Sequence, residues 1–251
     1  MSKNTNKKNT KSDPSWIWLL AAAISILVMV VLLVWLVAGR GVGVNPDKPS
    51  VTQPTTHPVK IENTEKVNIN LGYGMEIVDV AKYTGVYMED GTNEVVSGLL
   101  MIVVKNNGEQ DVQFAEIELP VGDKIAYFKM STLPVGESMV LLEQNRMAYV
   151  DTEYSTAISK NVVLFQEPMS LCTDKLKLQE MNGVINVTNI SGADITGDII
   201  IYYKNSADDM LYGGVTYRTV IPGGIRKDEI KQIQAKHYTT SGSRIMFVTC
   251  G

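Results

Sequence analysis

The chain has 251 residues, 45% of them hydrophobic and 20% charged, with a formal net charge of −4. That length holds an anchor and one or two small cores. The charge is divided: Lys3, Lys7, Lys8 and Lys11 are offset only by Asp13 near the start, while from residue 41 onward 18 basic side chains stand against 26 acidic ones, which argues against binding a phosphate backbone and sets nucleic acid aside as a partner.

Residues 1–15 read as a basic cytoplasmic tail. From Trp16 to Ala38 no residue is charged, and Ser25 is the one polar interruption. About 20 apolar residues rising roughly 1.5 Å each match a hydrocarbon core near 30 Å, so residues 16–38 are expected to span a lipid bilayer as a single helix. Trp16, Trp18 and Trp35 lie near its ends, where indole rings favour the headgroup region and act as membrane anchors. Four lysines ahead of the helix hold the N-terminus in the cytoplasm and send the rest of the chain outside. A cleavable signal peptide is the rival reading, since Val37, Ala38 and Gly39 are small. The apolar run is longer than the roughly 7–15 residues of a signal-peptide core.

Residues 39–65 contain Pro46, Pro49, Pro54 and Pro58 among Thr and Asn residues. Such a stretch reads as an extended extracytoplasmic spacer with a solvated His57. Beyond it, short apolar runs alternate with period two and are separated by Gly, Asn, Asp and Pro, predicting strands over 75–83, 95–105, 115–121, 125–133, 138–143, 161–166, 175–178, 184–189, 198–204, 210–221, 229–234 and 244–248. Lys105 through Val112 aligns with Thr188 through Ile195 at an offset of 83, and Leu133-Pro134-Val135-Gly136 is matched to Ile221-Pro222-Gly223-Gly224. A period near 85 residues is the size of one small β-sandwich. The expected fold class is therefore mainly β: a single N-terminal transmembrane helix followed by two tandem immunoglobulin-like β-sandwich domains, residues 66–155 and 160–251. One larger sandwich is the alternative.

Over residues 182–234, an Asn-rich turn, the apolar strand Asp198-Ile199-Ile200-Ile201-Tyr202-Tyr203, a Pro-Gly turn and a closing strand resemble the FxLYD family of small immunoglobulin-like domains. Ile-Ile-Tyr-Tyr stands where that family has its namesake motif. The resemblance implies an extracytoplasmic module of bacterial envelope proteins and carries over no catalytic residue.

Cys172 and Cys250 are the only cysteines. Outside the cytoplasm they are expected to form a disulfide, worth roughly 4 kcal/mol on the chain-entropy view; two free thiols are the alternative. Two cysteines without CxxC spacing, with His237 the one nearby imidazole, make no zinc site. His237 is also the one candidate base in the displayed region and reads as a surface histidine. The run Glu89-Asp90-Gly91-Thr92-Asn93-Glu94 could surround calcium, but Asp-Gly between apolar runs more simply encodes a hairpin turn. Asn186-Val187-Thr188 and Asn189-Ile190-Ser191 are sequons read as strand and turn. Tyr202, Tyr203, Tyr212 and Tyr217 either form a recognition surface or pack in the core. No catalytic, cofactor-binding or metal site is expected. These readings predict a non-enzymatic envelope protein that binds a protein or cell-wall polymer outside the membrane. The alternatives are a tethered cell-wall hydrolase using a carboxylate pair and an accessory subunit of a secretion or transport complex.

Overall fold

The structure is a computed structural model that describes residues 59–250. The tail, the expected spanning segment with Trp16, Trp18 and Trp35, and all but the end of the spacer lie outside the described residues. Within 59–250 the chain is mainly β, and no helix there is long and apolar enough to cross a membrane.

β1 (Lys60–Gly72) begins inside the stretch read as spacer. Lys60, Glu62, Glu65 and Lys66 hide the strand in the sequence, because its first half is an exposed, charged sheet edge. Its second half sends Ile69 and Leu71 into the core. Three register shifts against β2 (Met75–Val86) bulge this edge, which with the charges protects it from pairing with other chains. The chain continues as β3 (Val95–Asn106), β4 (Val112–Val121), β5 (Lys124–Leu133), β6 (Ser138–Leu142) and β7 (Ile158–Leu164). It then repeats the pattern with β8 (Leu176–Met181), β9 (Val184–Asn189), β10 (Ile199–Ala207), β11 (Met210–Ile221), β12 (Ile230–Gln234) and β13 (Ser243–Cys250).

The pairing is the same twice over. In the first half β2-β3-β6 lie side by side, as do β5-β4-β7; in the second half the counterparts are β8-β9-β12 and β11-β10-β13. Each half has a core between its two layers, the first also taking in Leu211 and Met246 from the second half. Ile77, Leu100, Ile102, Ile117, Phe128 and Leu141 are members of the first; Ile185, Val187, Ile199, Ile201 and Tyr203 belong to the second.

Asn106 and Asn189, matched by the sequence repeat, are the clearest sign of duplication. Both are fully buried at the end of a central strand. Asn106 accepts from Gly108 N at 2.9 Å and donates to Gln110 O and Leu133 O; Asn189 accepts from Ser191 N at 2.9 Å and donates to Ala193 O and Ile225 O. Each closes an Asx turn and ties it to a second strand. Asp111 and Asp194 are likewise twins, accepting from Val135 N and Lys227 N. These pairs correct the second part of the sequence alignment. The counterpart of the Leu133–Gly136 turn is not Ile221–Gly224 but the turn from Ile225 to Glu229, where Glu229 N donates to Arg226 O as Glu137 N donates to Pro134 O.

The correction has a structural cause. Asn106 and Leu133 are 27 residues apart, Asn189 and Ile225 are 36 apart, so the second half carries nine more residues between these points, most of them in the segments flanking the β10–β11 hairpin, beyond the Ile195–Ile225 bridge. The tip of that hairpin supplies Leu211 and Tyr212, which pair in parallel with Met139 and Val140 of β6. Through that short contact the first half's β1-β2-β3-β6 and the second half's β11-β10-β13 become one seven-stranded sheet.

The halves close their remaining seam differently. In the first, β1 lays Ile69 and Leu71 into the core beside Val162 and Leu164 of β7. The second has no such strand; there the expected disulfide joins Cys172, just before β8, to Cys250 at the end of β13, and Val248 N donates to Ser170 O at 2.8 Å.

Candidate functional site

A buried carboxylate and a buried ammonium, both well away from their usual range, lie where the halves meet. Glu89 follows β2 and is 8% exposed; its two carboxylate oxygens accept from Leu142 N at 2.9 Å and from Gly214 N at 2.7 Å, one at the end of β6 and one in β11. It thus extends the β6–β11 contact where the backbones diverge. Lys204 of β10 is fully buried and donates to Ser131 O and Val215 O, both at 2.9 Å. Ser131 Oγ donates to Gly214 O, and the Ser131, Thr132 and Thr216 hydroxyls complete the network. Burial pushes the Glu89 carboxyl up to about 7, opposed by the two backbone N–H groups, and pushes the Lys204 ammonium down to about 7, opposed by the negative charge of Glu89.

A raised carboxyl pKa also marks general acids, yet Glu89 has both oxygens committed to backbone N–H groups inside the joint. The neighbouring carboxylates turn elsewhere. Asp90 Oδ1 accepts from Thr92 N and Oγ1, and Asp90 and Glu94 both pair with Arg146, whose guanidinium lies 4.7 Å over the Tyr87 ring. The 89–94 run is therefore a turn in which Asp90 and Glu94 converge on Arg146 while Glu89 turns inward to the joint. Among the described residues no group of three or more His, Cys, Asp or Glu side chains could hold a metal ion. His237 stacks on Tyr217 at 4.9 Å, and burial lowers its pKa.

The four tyrosines divide. Tyr203 is 1% exposed, stacked on Tyr217 at 5.8 Å and edge-on to Tyr238 at 5.3 Å, so Tyr203 and Tyr217 are brought together in or against the second core. Tyr202 points to the opposite face of β10 and stacks on Phe247 at 4.2 Å. Tyr212 packs over the first half beside Tyr83, Tyr87 and Met101. Successive residues of a strand face opposite sides, so Tyr202 and Tyr203 cannot share a surface.

A shallow cavity of about 530 Å³ sits beside the extra turn of the second half, lined by Asp194, Arg226, Glu229 and Lys231 among others. Its polar groups already serve the backbone: Lys231 Nζ donates to Gly224 O, and Glu229 accepts from Arg226 N. The cavity reads as a consequence of the turn.

The open surface is the outward face of β8-β9-β12. Register places three cross-strand rows on it: Ile230, Thr188 and Lys177; Gln232, Asn186 and Gln179; Gln234, Val184 and Met181. Ile185 and Val187 point the other way into the core. Met181 and Ile230 are each 61% exposed, and Asn186 Oδ1 is shielded yet has no hydrogen-bond partner. The corresponding face of the first half is apolar and covered. There Ala81, Leu99, Met101, Val103, Val140 and Leu142 lie beneath Tyr83, Tyr87, Met88 and Tyr212. Sequence reasoning passed over the amide row because its members lie on three strands, and only register aligns them.

No family model, curated protein or solved structure matches this chain.

Proposed function

We propose that the chain is a non-enzymatic, single-pass membrane protein of a cell envelope. In this reading residues 16–38 anchor it in the bilayer, the N-terminus stays in the cytoplasm, and two immunoglobulin-like sandwiches, fused through one shared sheet, stand outside to bind an envelope protein or a cell-wall polymer. Strand order supports the immunoglobulin-like description, with β2-β3-β6 facing β5-β4-β7 and the same arrangement in the second half. The observation that carries the location is the Cys172–Cys250 bond downstream of an uncharged run of 23 residues. Disulfides persist in oxidising compartments, and four lysines ahead of an apolar helix resist crossing the membrane.

Binding rather than catalysis is supported by where the unusual chemistry lies, since Glu89 and Lys204 are used up holding the halves together while the open surface presents neutral amides. Sidedness is tested on intact cells with a membrane-impermeant maleimide applied after mild reduction. Labelling of Cys172 or Cys250 before lysis is expected; labelling only after lysis refutes the assigned location. Partner binding is tested separately, by crosslinking the full chain to envelope fractions and asking whether a specific adduct forms.

A further inference from the structure

We infer that the outward face of β8-β9-β12 is a docking surface for a neutral, hydroxyl-rich chain, a glycan, held across the row Gln232, Asn186 and Gln179. The inference deepens the proposed function by naming the chemistry of its partner. Three properties of the face point there.

Its charge comes first. From residue 41 onward acids outnumber bases by 26 to 18, yet these nine positions hold no carboxylate and one cation, Lys177 at a corner. A polyanion would approach against the charge of the whole unit, and a polycation would find nothing here to pair with. A neutral ligand meets neither obstacle.

Hydrogen-bonding capacity comes second. Each carboxamide offers two N–H donors and a carbonyl acceptor, the mixed set that sugar hydroxyls, themselves donors and acceptors, can satisfy. Strands about 4.8 Å apart repeat that set across the face. Asn186 Oδ1, at the centre of the row, is withdrawn from solvent and bonded to nothing in the chain. Unpaired acceptors in such positions cost about 1–3 kcal/mol, so a rotation of the Asn186 amide that presents this oxygen to a ligand hydroxyl recovers that cost. Met181, Val184 and Ile230 border the row with apolar contacts for the C–H faces of sugar rings.

Size comes third. Three strands at that spacing and five residues along each make a patch on the order of 200 Å². A stable protein partner or second copy needs about 800 Å² on each side, whereas a narrow chain lying along the row needs no more than is present. The first half shows the contrast, because its corresponding face is apolar and already covered by its own tyrosines and the tip of the β10–β11 hairpin.

The test uses the full chain in detergent micelles and isothermal titration with a neutral β-1,4-linked N-acetylglucosamine hexamer. Saturable binding is expected. Gln179→Glu/Gln232→Glu, two exposed positions, should weaken it at least tenfold at an unchanged urea midpoint, while Ile125→Ser on the outward face of β5 should leave it unaltered. Absence of saturable binding, equal binding by the double variant, or a self-association of the chain that the double variant abolishes would each overturn the inference. The sidedness and crosslinking experiments would still judge the broader reading independently.

Discussion

Reducing the Cys172–Cys250 bond should loosen one half of the described unit and spare the other. The bond spans a sequence separation of 78, and closing a loop of that length removes unfolded-state entropy worth about 4.5 kcal/mol at 25 °C. In the second half, among the described residues, the bond is flanked at this seam by the hydrogen bond from Val248 N to Ser170 O, whereas the first half is sealed by β1 through Ile69 and Leu71. Hydrogen exchange with mass-spectrometric readout, before and after reduction or in Cys172→Ala/Cys250→Ala, measures each half by itself. Amides of β8, β9 and β12 are expected to lose roughly two-thousandfold in protection, the equivalent of that free energy. Amides of β4 and β5 should change by no more than a few fold. Equal losses in both halves would refute the argument that each closes its own seam, and no loss in the second would refute the role of the bond.

Other outcomes follow from single groups. Asn106→Ala and Asn189→Ala should each cost about 1–3 kcal/mol in urea denaturation, because each strands one buried carbonyl, Leu133 O or Ile225 O, and loosens the turn at Gln110 or Ala193; a large cost at one position only would argue against their equivalence. Gly214→Ala should destabilise by several kcal/mol, since a Cβ there overlaps the Lys129 carbonyl. It is checked by the same denaturation curve. The joint also predicts an unusual pH profile. Glu89 binds its proton more tightly folded than unfolded, so its contribution is fully present below its ordinary value of 4.5 and is lost as pH rises to about 7. Lys204 binds its proton less tightly folded, so stability is regained as pH rises from about 7 towards 10.5. Thermal midpoints between pH 5 and 10 should therefore dip near 7. Glu89→Gln should remove the acid limb and Lys204→Met the alkaline one; a monotonic profile unaltered by both would sink the assignment.

Much of this organisation is legible locally. Alternating runs such as those of β9 and β10 announce strands because one face must meet the core, and Asn106 and Asn189 are found by repeat because the same Asx turn needs the same residue. β1 is not legible, since a strand that guards an edge must carry charges and so resembles a linker. Ile221-Pro222-Gly223-Gly224 misleads for a related reason: it is a turn in its own right and hides the true counterpart four residues on. Glu89 and Lys204 show no local signal at all, because their partners come from strands far apart in the chain.

The residues by themselves determined the β character and a duplicated order of features, since each follows from periodicity or repetition along one dimension; they left the two cysteines either bonded or free, and the structure joins them. Tertiary structure alone decided that the β10–β11 hairpin, set in a stretch nine residues longer than its counterpart, welds two similar halves into one sheet. It decided too that four neighbouring tyrosines part company, and that three amides from three strands form a row. The physical reason is that pleat direction and register convert small differences in sequence position into opposite faces or shared ones, and no local propensity records which.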